Sequence, residues 1–142
     1  MRMSLTALSI TVLSADPVGS AQFYCRHFGF SPTAELDWFV SLQHPALPGL
    51  HLDLLRQGHP AAGPVLSRQQ TTGVMLALIV PDVESDVRRL EEAGLNFVLP
   101  VTTEPWGQKR AQVQAPDGVT VELLEFVAPD PEWLSQQAAS PT

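Results

Sequence analysis

Apolar positions along the chain change spacing in the same order twice, from a short run to a helical stripe and back to alternation. Leu8 to Leu13 and Met75 to Val80 are runs of strand length, and each leads into an aspartate able to cap a helix N-terminus. After Asp16 comes Pro17, suited to a first helical turn, then Val18, Ala21, Cys25 and Phe28 at spacings of 3, 4 and 3. That stripe predicts a buried face, with Gln22, Arg26 and His27 opposite it. After Asp82 the stripe is Val83, Val87 and Leu90, with Glu84, Asp86, Arg88, Arg89, Glu91 and Glu92 outward. Gly29 and Gly94 supply helix C-caps. Second strands are expected near Ser31 to Leu36 and Asn96 to Pro100, and a pair of alternating segments closes each half. Each half therefore reads β-α-β-β-β.

The two halves also match residue by residue. Gly49-Leu50-His51-Leu52-Asp53-Leu54-Leu55 lies over Gly118-Val119-Thr120-Val121-Glu122-Leu123-Leu124, with a glycine, an acid and a Leu-Leu pair at equal offsets. Val40 to Pro45 lies over Ala111 to Pro116. The terminal strand pairs are thus equivalent hairpins, in modules covering residues 5–55 and 74–126. Residues 56–73, rich in proline, glycine and glutamine, read as the linker, and 127–142, with Pro129, Pro131 and Pro141, as a loosely held tail in which Trp133 and Leu134 dock on the body.

A helix laid on one sheet face buries alternate side chains and leaves the other face free to line a concavity. Val119, Val121, Leu123, Ala111, Val113 and Ala115 belong to the helix side. Arg110, Gln112, Gln114, Thr120 and Glu122 then point the other way, and by the repeat so do Phe39, Ser41, Gln43, His51, Asp53 and Leu55. Amides, a guanidinium and two acids beside Phe39, with Trp38 and Trp106 flanking, resemble the lining of a pocket for an organic molecule. The candidate ligand-binding residues are Trp38, Phe39, Ser41, Asp53, Trp106, Arg110, Gln112 and Glu122.

Composition narrows the function. At 142 residues, 44% hydrophobic and 16% charged, the chain is expected to be a single globular domain spanning 1–142 with an adequate core. A formal net charge of -7, without a run of Lys or Arg, excludes a nucleic-acid partner and suits a cationic or polar aromatic guest. No apolar stretch approaches membrane-spanning length, and Arg2 followed by Leu5 to Leu13 imitates a secretion signal only faintly, so a cytoplasmic protein is expected. The single cysteine, Cys25, sits on the first helical stripe as a small core residue. His27, His44 and His59 are expected at the surface, and His51 reaches Asp53 only if a bulge disturbs its strand.

The paired modules, the Phe23-Tyr24 of the first helix and the Ala115-Pro116-Asp117-Gly118-Val119-Thr120-Val121-Glu122-Leu123 segment resemble the vicinal-oxygen-chelate superfamily of glyoxalase I, extradiol dioxygenases and bleomycin resistance proteins. The resemblance spans residues 5–126. It implies an α+β fold of two βαβββ modules curled around a cavity, usually completed by a homodimer partner. It also places the metal ligands of the metal-dependent members at Ser9, Asp53, Met75 and Glu122. Two of those are neither imidazole, thiolate nor carboxylate, so the expected function is binding of a small organic molecule without a metal or other cofactor, by sequestration. The alternative is a lyase, isomerase or dioxygenase using Glu122 with a divalent metal and Arg110 to hold an oxyanion.

Overall fold

The computed structural model describes residues 2–138. They form two compact units, one of residues up to Gly73 together with Ala115–Gly118, the other of Val74–Gln114 and the chain from Val119 onward.

In the first unit, strands β1 (Leu8–Ser14), β2 (Ser31–Glu35), β3 (Phe39–His44) and β4 (Leu47–Arg56) make a sheet of order β1-β4-β3-β2. β1 runs parallel to β4, as a strand-helix-strand crossover requires, and the other pairs are antiparallel. Helix α1 (Pro17–Phe28) begins where the Asp16 carboxylate accepts the Gly19 N–H and ends at Gly29, whose φ of 78° releases the chain. Under it Val12, Val40, Leu42, Leu52 and Leu54 are at most 2% exposed.

The buried stripe of α1 is rotated from the expected one. Val18 lies at the surface and Cys25 is half-buried, whereas Tyr24 and His27 are buried beside Ala21 and Phe28. The reason is area. Tyr24 and Phe28 bury more apolar surface than Val18 and Cys25, and Phe23, Tyr24, His27 and Phe28 form a cluster with ring centroids 4.9 to 6.3 Å apart, edge-to-face except for the tilted Tyr24–Phe28 pair. His27 is therefore a buried residue, not an exposed one. His44 is likewise engaged. Its Nδ1 accepts the Ala46 N–H at 3.0 Å, so Nε2 carries the proton and donates it to the Phe28 carbonyl at 3.0 Å.

The linker contains a 3-10 turn, Pro60–Ala62, and the short helix α2 (Gly63–Leu66). Beyond them Thr71 bonds both the N–H and the carbonyl of Leu13 through its hydroxyl. The Pro-Asp-Gly turn belongs to this unit too. Asp117 has φ 67°, a left-handed conformation that Asp tolerates better than most residues, and its carboxylate accepts the Ala15 N–H and the Ser20 hydroxyl at 3.0 and 2.6 Å. It thereby fixes the passage from β1 into α1.

In the second unit, β5 (Met75–Ile79), β6 (Phe97–Glu104), β7 (Gln108–Gln114) and β8 (Thr120–Phe126) repeat the order as β5-β8-β7-β6. Helix α3 (Val83–Glu92) starts at Asp82, which accepts the Ser85 N–H, and buries Val83, Val87 and Leu90 as its spacing predicts. Ala111, Val113, Val119, Val121 and Leu123 are at most 2% exposed on the helix side. β6 runs on past Pro100 to Glu104, its register slipping on both sides of Leu99, because proline offers no N–H to the ladder.

The chain after β8 is held, not loose, among the described residues. Val127 N–H donates to Gly107 O at 3.0 Å, Asp130 N–H to Pro105 O at 2.8 Å, and helix α4 (Pro131–Ala138) brings the Trp133 ring to 6.1 Å from that of Trp106. Leu134 stays exposed.

Candidate functional site

Side chains on the helix-free face of each sheet are set by strand register, and the registers of the two units coincide. Ser9 pairs with His51 and Thr11 with Asp53 across β1 and β4, while Met75 pairs with Thr120 and Ala77 with Glu122 across β5 and β8. Ser41 stands opposite Asp53, and Gln112 opposite Glu122. The alignment of the halves is therefore the alignment of the strands.

In the second unit the structure gathers Arg110, Gln112, Glu122, Met75 and Trp106. The Arg110 guanidinium donates through Nη1 to Glu122 Oε1 at 3.0 Å, and through Nε and Nη2 to Glu104 Oε2 at 2.8 and 2.7 Å. Gln112 Nε2 donates to the same Glu122 oxygen at 3.0 Å and lies 3.8 Å from the Met75 sulfur. Glu122 is 3% exposed, so its charge is compensated inside the fold. Hydrogen bonds to Glu104 first and to Glu122 second raise the pKa of Arg110 above its ordinary value. Trp106, in the β6–β7 turn and 42% exposed, donates its indole N–H to Gln108 at 2.8 Å and holds its ring 5.6 Å from the Arg110 carbon. Gln114 and Thr120 bond each other at 3.2 Å.

Glu104 is absent from the residues proposed from sequence. Only the continuation of β6 past Pro100 carries it to Arg110, and the alternation fades at that proline.

In the first unit the grouping is sparser. The Ser9 hydroxyl donates to Asp53 Oδ2, whereas Oδ1 is buried with no hydrogen-bond partner among the described residues. Asp53 and Ser41 are each 8% exposed. Gln43 and His51 approach at 3.4 Å, so His51 turns to Gln43. Phe39 lies 5.9 Å from Trp38, which stacks face to face on His59 at 4.2 Å and 2°. His59 is thus a half-buried stacking partner, contrary to its expected exposure.

A separate open cleft of about 370 Å³ is lined by Leu13, Ala15, Gln57, Gln70, Thr71, Asp117 and Gly118. None of the candidate residues lines it.

The positions that the resemblance assigns to metal ligands carry a hydroxyl and a carboxylate in one unit (Ser9, Asp53) and a thioether and a carboxylate in the other (Met75, Glu122). Among the described residues no group of three or more His, Cys, Asp or Glu side chains is placed to hold a metal ion. With one carboxylate oxygen already accepting two donors, and no imidazole or thiolate beside it, this donor set does not fit zinc, nickel or iron.

The fold recurs in solved structures. A glyoxalase/bleomycin resistance protein/dioxygenase from Nocardioides shares 18% identity at a TM-score of 0.74, covering 89% of this chain and 87% of that one. TnmS3, an antibiotic binding protein from Streptomyces sp. CB03234, shares 22% at 0.66 over 89% and 98%. Lactoylglutathione lyase from Agrobacterium tumefaciens shares 17% at 0.68 over 87% and 96%. No curated protein sequence matches. The family model matches residues 7–123, and with two βαβββ modules in matching register the chain belongs to the Glyoxalase/Bleomycin resistance protein/Dioxygenase superfamily.

Proposed function

We propose that this protein binds a small organic molecule, without a transition metal, and acts by sequestration as a cytoplasmic homodimer. The observation that carries the reading is the state of Glu122. In a metal-using member that position would offer a free carboxylate, and here its Oε1 accepts both Arg110 and Gln112 at 3.0 Å. The Arg110 guanidinium and the Gln112 amide thus already compensate this carboxylate, which makes it a poorer ligand for a metal cation. Aromatic and amide side chains at Trp38, Phe39, Ser41, Trp106 and Gln112 supply the contacts an organic guest needs. A fold neighbour described as an antibiotic binding protein supports binding, while another is a lyase, so fold alone does not choose.

Metal content decides between them. Protein purified without chelator should carry far less than one equivalent of zinc, nickel, manganese or iron, and adding each should leave the melting temperature unchanged, since a ligand selective for the native state must stabilise it. An aromatic compound library screened by intrinsic fluorescence should yield binders whose signal falls in Trp106→Phe. Near-equimolar metal whose removal abolishes a turnover would overturn the reading in favour of an enzyme.

A further inference from the structure

We propose that the first unit carries a recognition point for an organic cation, a protonated amine, amidinium or quaternary ammonium group, formed by the Asp53 carboxylate and the ring of Phe39. The proposal rests on the small-molecule reading above and names the chemistry of the guest.

Its basis is an asymmetry between units that otherwise repeat. Asp53 and Glu122 hold equivalent places, opposite Ser41 and Gln112. Two residues earlier on those neighbouring strands stand Phe39, opposite Leu55, and Arg110, opposite Leu124. Phe39 therefore occupies the place of the arginine. In the second unit the arginine closes on its acid at 3.0 Å. In the first, the acid is 8% exposed, Ser9 reaches only Oδ2, and Oδ1 is buried with no donor among the described residues.

A buried carboxylate oxygen without a donor lowers stability and has no structural return, so it marks a place for a partner from outside the chain. An aromatic ring on the same face attracts a cation through its quadrupole but leaves the acid uncompensated until that cation arrives. Trp38, 5.9 Å from Phe39, extends the aromatic surface, and Ser41 offers a hydroxyl beside the acid. A metal ion is the poorer occupant, because one carboxylate and one serine hydroxyl are too few ligands and a ring supplies none. The net charge of -7 favours approach of a cation.

Calorimetric titration of the intact chain with benzylammonium, benzyl alcohol and benzoate separates charge from shape. Benzylammonium should bind at least about tenfold more tightly than the alcohol, and benzoate most weakly. Asp53→Asn should bring benzylammonium to within about threefold of the alcohol and leave alcohol affinity unchanged. Its melting temperature without ligand should not fall, because no internal ion pair is broken. Phe39→Leu, which keeps the acid, should weaken benzylammonium about three- to tenfold, and it decides the matter if Asp53→Asn fails to fold. Equal binding of ammonium and alcohol by the parent, or a cation preference that survives Asp53→Asn, overturns the cation site and leaves small-molecule binding standing. Saturable binding of none of the three also overturns it, and the library screen then judges the broader reading alone.

Discussion

Arg110 is fixed from several directions, by Glu104, by Glu122 and by the Trp106 face. Its removal would strand a glutamate side chain that is 4% exposed. Arg110→Ala should therefore destabilise the fold by about 2–3 kcal/mol in urea denaturation, below the 3–5 typical of a fully buried pair because Arg110 is itself partly hydrated and Gln112 remains. Adding Glu122→Gln to that variant should restore much of the loss. Arg110→Lys should rescue poorly, since one ammonium cannot reach two carboxylates in a fork. Tyr24 makes the opposite case. Its hydroxyl is buried without a partner among the described residues, and burial first, then the Asp117 charge, raise its pKa above the ordinary 10.0. The folded chain then keeps a proton that the unfolded chain releases, so stability is full below pH 10.0 and is lost as pH rises from there toward the folded value. Tyr24→Phe should flatten that alkaline limb and at neutral pH cost nothing or gain about 1 kcal/mol. Because the chain has one tyrosine, tyrosinate absorbance during an alkaline titration reports the group directly.

At the scale of elements, the turn 115–118 joins β7 to β8 in sequence yet packs with the first unit. Asp117 does the joining, accepting from Ala15 and Ser20 while its own backbone sits at φ 67°. Asp117→Ala loses both bonds and places a less tolerant residue in a left-handed conformation, so about 2–3 kcal/mol should be lost. Asp117→Gly, which relaxes the backbone, should lose less, and comparing urea midpoints of the two separates strain from bonding. Local signals of this kind explain how much the sequence made legible. Strand alternation, the Asp16 and Asp82 caps, and the Val83-Val87-Leu90 stripe all lie within a few residues of what determines them, and the structure reproduces each. The buried stripe of α1 departs from its spacing because the choice between Cys25 and Tyr24 depends on what the opposing sheet can accommodate. Arg110 and Glu122 share a face by the alternation of β7 and β8, whereas Glu104 reaches Arg110 only because β6 continues through a proline. The tail helix is not legible locally for a similar reason, since Gly107 and Pro105, which receive Val127 and Asp130, are some twenty residues earlier in the chain.

For the molecule as a whole, each sheet ends in strands that carry unpaired backbone groups, and the edges are unequally protected. β2 contains Pro32 and Glu35, and β6 contains Pro100, residues that discourage further pairing. β1 and β5, with sequences LSITVLS and MLALI, contain neither a charge nor a proline. They also leave Leu8 60%, Met75 50% and Ile79 62% exposed. Apolar edges of this kind are a liability at working concentrations unless something covers them, and in small proteins a second copy related by a two-fold axis is the usual cover. A homodimer is accordingly expected. Light scattering at micromolar protein should return about twice 15.4 kDa, and the double variant Leu8→Lys with Ile79→Lys, which places a charge on each exposed edge, should shift that mass toward a single chain without lowering the melting temperature of the isolated fold. If the parent protein scatters as one chain across the whole concentration range, β1 and β5 are tolerated as open edges and the dimer is wrong.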